Sequence, residues 1–399
     1  MSSNIEELKK QACERIDAVA QTLIDVSHDI HAHPEQNFNE VFASELLVRT
    51  ATQLGLPTES HMYGCETGFS GEIGSGATVC VMSEYDALPD IGHGCGHNVI
   101  AAAGLGASIG LAAVAHAAGG RLRYLGTPAE EGGGGKLVMA RNGALEGVDI
   151  AMMVHSADAD LTSIDAIALQ QLRVEYFGEA AHAAAAPEKG RNALDAAVLG
   201  YMAVAALRQH ILPTERVHGI FTKAGEKPNI VPREAEMEWY VRSDTVTTLS
   251  QLKPRVLAAL QSGASACGCG FAHEWVDTPY ADMVTNNNLS AMYVSNAHHL
   301  GRVVTIPGAN GRRVVGSTDM GNISHLVPSI HPMISSAPTG TAIHTLDFAK
   351  ASVTQQADRA VIDGAKAMAM TAIDFWTSDN LQSAIKQEFA EANPDKDVL

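Results

Sequence analysis

The sequence predicts an α/β protein: a metal-binding α/β catalytic domain into which a smaller, ferredoxin-like α+β domain is inserted. Short apolar runs such as ATVCVMSEY (77–85), RLRYLGT (121–127) and IAMMVHS (150–156) alternate with helical patterns over 99–118 and 136–142. That alternation is the mark of a largely parallel sheet buried under helices. From about Ala168 the texture changes to strand, helix, strand, strand, helix, strand: LQQLRVEYFGEA, NALDAAVLGYMAVAALRQ, RVHGIFTKAG, EAEMEWYVRSD, LSQLKPRVLAALQSGASA and CGFAHEWVD. This is the order of a split βαβ unit. After Tyr280 the first texture returns, with GSTDMGNISHLVPSIHP (316–332) read as a loop-rich segment and a long helix expected from about Thr345. The expected domains are 1–167 and 280–399 as the two parts of the metal-binding domain, and 168–279 as the insert. The acidic tail EANPDKDVL (391–399) reads as frayed.

Length and composition support this division. A chain of 399 residues exceeds what one core usually fills, and 46% hydrophobic against 18% charged residues is ample for burial. With 27 Lys and Arg against 45 Asp and Glu, the net charge is −18. No basic cluster interrupts it, so nucleic acid and anionic membrane surfaces are poor partners. Cys13, Cys65, Cys80, Cys95, Cys267 and Cys269 show no disulfide framework, which favours a reducing, cytoplasmic setting. The N-terminus has no apolar core followed by a cleavage site, so no secretory signal is expected. The stretch 99–120 is long enough to span a bilayer, but it is mostly Ala and Gly and reads as a helix packed against a sheet.

Four segments carry metal-competent side chains where strands of such a sheet would end. They are Glu84, Asp86 and GHGCGHN (92–98), GTPAEEGGGGK (126–136), His155, and His344 in GTAIHT (340–345). Open α/β sheets gather their sites beyond the carboxyl ends of strands. A phosphate loop is excluded for the glycine run, because Glu130 stands where its first glycine belongs and Leu137 where its hydroxyl belongs. Adjacent glutamates suit a metallohydrolase better, one binding a cation while the other takes a proton from water. Cys95 with His97 as a nucleophile and base is a rival, but two residues so close in a loop rarely reach the required geometry. A thiolate and an imidazole fit zinc or manganese. His28, His31 and His33 follow a helix and meet a proline, and read as packing and capping residues.

EYDALPDIGHGCGHN, GTPAEEGGGGK, EAAHAAAAPEKGRNALDA, KPNIVP and GSTDMGNISHLVPSIHP together resemble the signature segments of the aminoacylase and dipeptidase family of dinuclear metallopeptidases. The nearest branch is that of N-acyl amino acid amidohydrolases, with aminobenzoyl-glutamate hydrolases and β-alanyl dipeptidases. The resemblance implies a metal-binding domain with an inserted lid that dimerises. It implies Cys95, His97, Glu131, His155 and His344 as metal ligands, Glu130 as general base and Asp86 as the carboxylate orienting a ligand imidazole. In the lid it implies His182 polarising the scissile carbonyl, and Asn229 and Arg242 holding the substrate's polar end. Asn98 departs from the Asp common at that place, and other branches carry Asp where Cys95 stands.

The expected reaction is hydrolysis of the amide in an N-acyl or N-aminoacyl amino acid, with one or two zinc or manganese ions, cobalt being a further option. A dipeptidase of the same chemistry is the alternative. A non-catalytic small-molecule binder is a different class, and its mark, a lost ligand or base, is not found.

Overall fold

The computed structural model describes residues 2–309, 315–392 and 394–399. The chain forms two compact units, one of residues 1–165 with 283–397 and the other of residues 166–282.

In the larger unit a six-stranded sheet runs in the order Thr58–Ser60, Phe69–Gly74, Gly120–Thr127, Ala77–Glu84, Ile150–Met152, Ser329–Ile330. The first two strands pair antiparallel; from Gly120–Thr127 onward the pairing is parallel. Alternation along Ala77–Glu84 sends Val79 and Val81 into one core and Cys80 and Met82 into another, so both faces are buried. The Val79 face is covered by His97–Ala118, a helix apolar all round that packs against Ser2–Ala18, Ala20–Ala32 and Gln355–Trp376. It is long and apolar enough to cross a membrane, and most of it is buried inside this unit. A Cβ on Gly104 would stand 2.6 Å from the carbonyl oxygen of Met82, so glycine lets the helix seat on the strand.

Three expectations fail here. The loop-rich segment contains the helix Met320–Leu326 and the strand Ser329–Ile330, because Met320 and Ile323 have the Met82 core to pack on and the strand adds to the edge of the six-stranded sheet beside Ile150–Met152; just beyond it, Met333–Ser335 pairs with His155–Ala157. The single C-terminal helix is three, Leu346–Ala351, Gln355–Trp376 and Asp379–Ala392; the breaks fall around Ser352 and Thr377, whose hydroxyls bond back to carbonyls. The tail is anchored rather than frayed, since Lys396 Nζ donates to the carbonyl of His325 at 2.6 Å.

In the smaller unit an antiparallel sheet runs in the order Gly270–Tyr280, Ala168–Phe177, Glu234–Ser243, Arg216–Ala224. Helices Ala193–Leu207 and Val246–Cys267 pack on it and on each other. Leu172, Val174, Tyr176, Met237, Trp239 and Val241 are buried, while alternate residues such as Arg173, Glu238 and Tyr240 are not. That is the period-2 pattern of a sheet with one covered face. Asn192 caps the first helix and a Thr245–Thr248 capping box starts the second.

Candidate metal centre

Strand ends position the site. Ala77–Glu84 delivers Glu84 and then Asp86; Gly120–Thr127 leads through Ala129, at φ 57°, to Glu130 and Glu131; Ile150–Met152 leads to His155. The loop after Asp86 ends in Cys95 and Gly96, whose left-handed backbone starts the long helix, so His97 is its first residue. His344, at φ 62°, donates its backbone N–H to Gly94 O at 2.8 Å and is thereby held beside Cys95.

These groups converge. Cys95, His97 and His155 offer atoms within 4.8 Å of one another; so do Cys95, Glu131 and His344, and His97, Glu130 and Glu131. Cys95 Sγ lies 3.6 Å from His155 Nε2, and His344 Nε2 3.4 Å from Glu131 Oε1. His97 Nδ1 is 3.0 Å from Asp86 Oδ1, and the other oxygen of Asp86 accepts the N–H of Glu131 at 2.8 Å. A carboxylate only accepts, so Nδ1 of His97 donates and Nε2 is turned inward. His155 is fixed likewise, Nδ1 donating to Ser156 O at 2.7 Å. His97 Nε2 and Glu131 Oε1 are buried without a hydrogen-bond partner. Sulfur, nitrogen and oxygen atoms able to ligate thus face one another in a buried cluster, an arrangement that a bound cation relieves. The residues fit a divalent metal.

The electrostatics agree. Burial would pull the His97 imidazole down, yet the carboxylates of Glu84 and Asp86 hold it well above its ordinary value. The pocket therefore calls for positive charge at Nε2. Burial, with the Glu84 and Glu131 charges, pushes Glu130 well up, whereas burial pulls His155 down to about 4. Exposure differs across the cluster: the His97 side chain is 0% exposed and that of His344 50%.

The family model of peptidase family M20/M25/M40 matches residues 80–347, which takes in every group named in this cluster. The chain belongs to this peptidase family. It is 36% identical to the Xaa-Arg dipeptidase of Mus musculus over 404 residues, covering 97% of this chain and 93% of that protein. To one of the two kinds of chain of the p-aminobenzoyl-glutamate hydrolase of Escherichia coli it is 26% identical, over 96% of this chain and 95% of that one. A dinuclear metal-binding peptidase of the same family from Bacillus subtilis shares the fold, with TM-score 0.69 at 18% identity over 90% of this chain and 98% of that chain. Family membership makes this chain a hydrolase of amide bonds with a mixed α/β fold.

The other expected peptidase residues lie in the smaller unit. His182 is exposed in a turn that bridges Ile230, and Asn229 is beside it, its carbonyl accepting the N–H of Ala183 at 3.1 Å. His182 Nδ1 accepts the N–H groups of Ala184 and Ala185 at 3.3 and 3.2 Å. The proton of the neutral ring is therefore on Nε2, free to be donated. Arg242 sits near the far end of Glu234–Ser243, with its guanidinium over the Tyr240 ring.

Asn98 has its own account: its amide donates to Ser27 Oγ and Ser352 O, both at 2.9 Å, which a carboxylate could not do. His28 and His31 pack through Asp358 Oδ1 and Ala349 O, and His33 bonds back to Asp29 O. Behind the cluster lie Lys136 and Asp319, which had no expected role, and Glu84, which was named only as a metal-competent side chain. Lys136 Nζ reaches Glu84 Oε2 and Asp319 Oδ1, each at 2.7 Å, and all are buried. Their signal in the sequence was a lysine closing a glycine run, which served only to exclude a phosphate loop.

Proposed function

We propose that this chain hydrolyses the amide of N-acyl or N-aminoacyl amino acids and releases a free amino acid, using one or two zinc or manganese ions held by Cys95, His97, Glu131, His155 and His344. The observation that carries the reading is the convergence of unpartnered acceptor atoms beside a second glutamate. When bound, such ions polarise the scissile carbonyl and acidify water. Glu130 takes the proton of the attacking water and delivers it to the leaving amine, a role worth roughly 10² to 10⁴ in rate. Asp86 keeps His97 in the tautomer that presents Nε2. His182, its proton on Nε2, donates to the developing oxyanion. Asn229 and Arg242 hold the substrate's polar end.

The smaller unit serves as lid and dimer contact. Val198, Leu199, Met202, Ile220, Phe221 and Tyr240 are exposed on it, a set suited to a second copy. In this reading each lid reaches toward its partner, and His182 acts in its partner's site. All six cysteines are free thiols, which fits the cytoplasm.

Likeness to the Xaa-Arg dipeptidase favours a second reading, a dipeptidase of the same chemistry. Amine release from a panel of N-acyl amino acids and dipeptides, before and after chelation and reloading, separates the two. Turnover of dipeptides alone selects the second reading, and full turnover by protein shown to be free of metal overturns both.

A further inference from the structure

Glu84 stands at the bottom of the centre. Its Oε1 is 3.4 Å from His97 Nε2 and 3.9 Å from His155 Nε2, is fully buried and has no hydrogen-bond partner. Donors at about 2.0–2.3 Å from a tetrahedral zinc stand about 3.3–3.8 Å apart. The Cys95 Sγ to His155 Nε2 distance of 3.6 Å is such an edge, and Glu84 Oε1 makes comparable ones.

The other oxygen of Glu84 is occupied. Lys136 Nζ binds Oε2 at 2.7 Å and Asp319 Oδ1 at 2.7 Å, and Asp319 Oδ2 accepts the Lys136 backbone N–H at 3.0 Å. All three side chains are withdrawn from solvent. Burying three charges costs several kcal/mol per ion before pairing offsets it, and an apolar cluster of equal volume often does as well for stability. What the charged triad adds is orientation: one oxygen is tied back and the other is fixed toward the two imidazoles. Ligating carboxylates are ordinarily held this way.

We infer that Glu84 is a further metal ligand, held in place by Lys136 and Asp319 as positioning residues, and that it makes the two metal positions unequal. The inference rests on the metal-centre reading above. The inner position has the grouped Cys95, His97 and His155, and Glu84 Oε1 beside the two imidazoles would make a fourth donor, all of them buried. This is the closed set of a tightly held ion. The outer position has Cys95, Glu131 and His344, three donors with His344 half-exposed, and keeps a place for water and substrate. The inner ion stays with the protein while the outer one exchanges.

The test is graded chelation of cobalt-loaded protein, read by elemental analysis and visible absorption rather than by activity. Wild-type protein should hold two ions per chain and release them in two steps separated by about tenfold or more in chelator. In Glu84→Gln the second step should move toward the first, by about 10- to 100-fold, with a changed cobalt spectrum, and Lys136→Met should do the same. Folded variants that keep the two-step release and the wild-type spectrum would overturn the inference and leave the metal-centre reading intact. Wild-type protein that takes up no cobalt would overturn that reading itself. Should both variants fail to fold, anomalous diffraction from zinc-loaded wild-type crystals decides: Glu84 Oε1 at about 2.0–2.2 Å from an ion supports the inference, and beyond about 3 Å overturns it.

Discussion

The two units use their sheets in opposite ways. In the larger, parallel strands are buried on both faces, so nothing is left to do chemistry except the carboxyl ends, and there the acidic, thiol and imidazole groups collect. In the smaller, an antiparallel sheet has helices on one face and leaves polar and aromatic side chains on the other. Its contribution is a surface and a few side chains in exposed turns. A substitution should therefore act differently according to which sheet it touches.

The sharpest way to break this division is to pair lesions from both units. Glu130→Ala and His182→Ala should each be nearly inactive as homodimers. Co-expressed in equal amounts, about half the dimers are mixed and one site in each mixed dimer is intact, so about a quarter of wild-type activity should return. Mixed dimers, proven by differential tags, that stay inactive would place His182 in its own chain's site.

Smaller effects sharpen the comparison. Gly104→Ala forces a methyl against the Met82 carbonyl and should cost about 1–3 kcal/mol. Hydrogen exchange should rise in the larger unit's sheet while the smaller unit keeps its protection. The converse is Thr245→Ala, which removes half a capping box and should cost about 1 kcal/mol. Exchange should then rise at the start of Val246–Cys267, with metal content unchanged.

What could be read from the sequence follows the same division. The strands of the smaller unit were legible because LQQLRVEYF and EAEMEWYV alternate cleanly, as a half-buried sheet demands. The parallel strands were legible as apolar runs. The antiparallel strands Thr58–Ser60 and Phe69–Gly74 were not, because one is three residues long and the other is interrupted by glycine. In the site, Cys95, His97 and the glutamate pair announce themselves by composition, and His155 and His344 stand out only as histidines placed where strands end, their ligand role coming from the resemblance. Glu84 was named as metal-competent but given no place among the ligands. Lys136 lies 52 residues from Glu84 and 183 from Asp319, and no local pattern records a pairing made only by the sheet.

The central claim is that the adjacent glutamates divide the work, Glu130 moving the proton and Glu131 binding metal. The most direct measurement is metal content and kcat on Glu130→Gln and Glu131→Gln purified side by side. Glu130→Gln should keep the wild-type metal content and lose about 10² or more in kcat, while Glu131→Gln should lose metal as well as activity. Metal lost from Glu130→Gln and retained by Glu131→Gln would contradict the assignment.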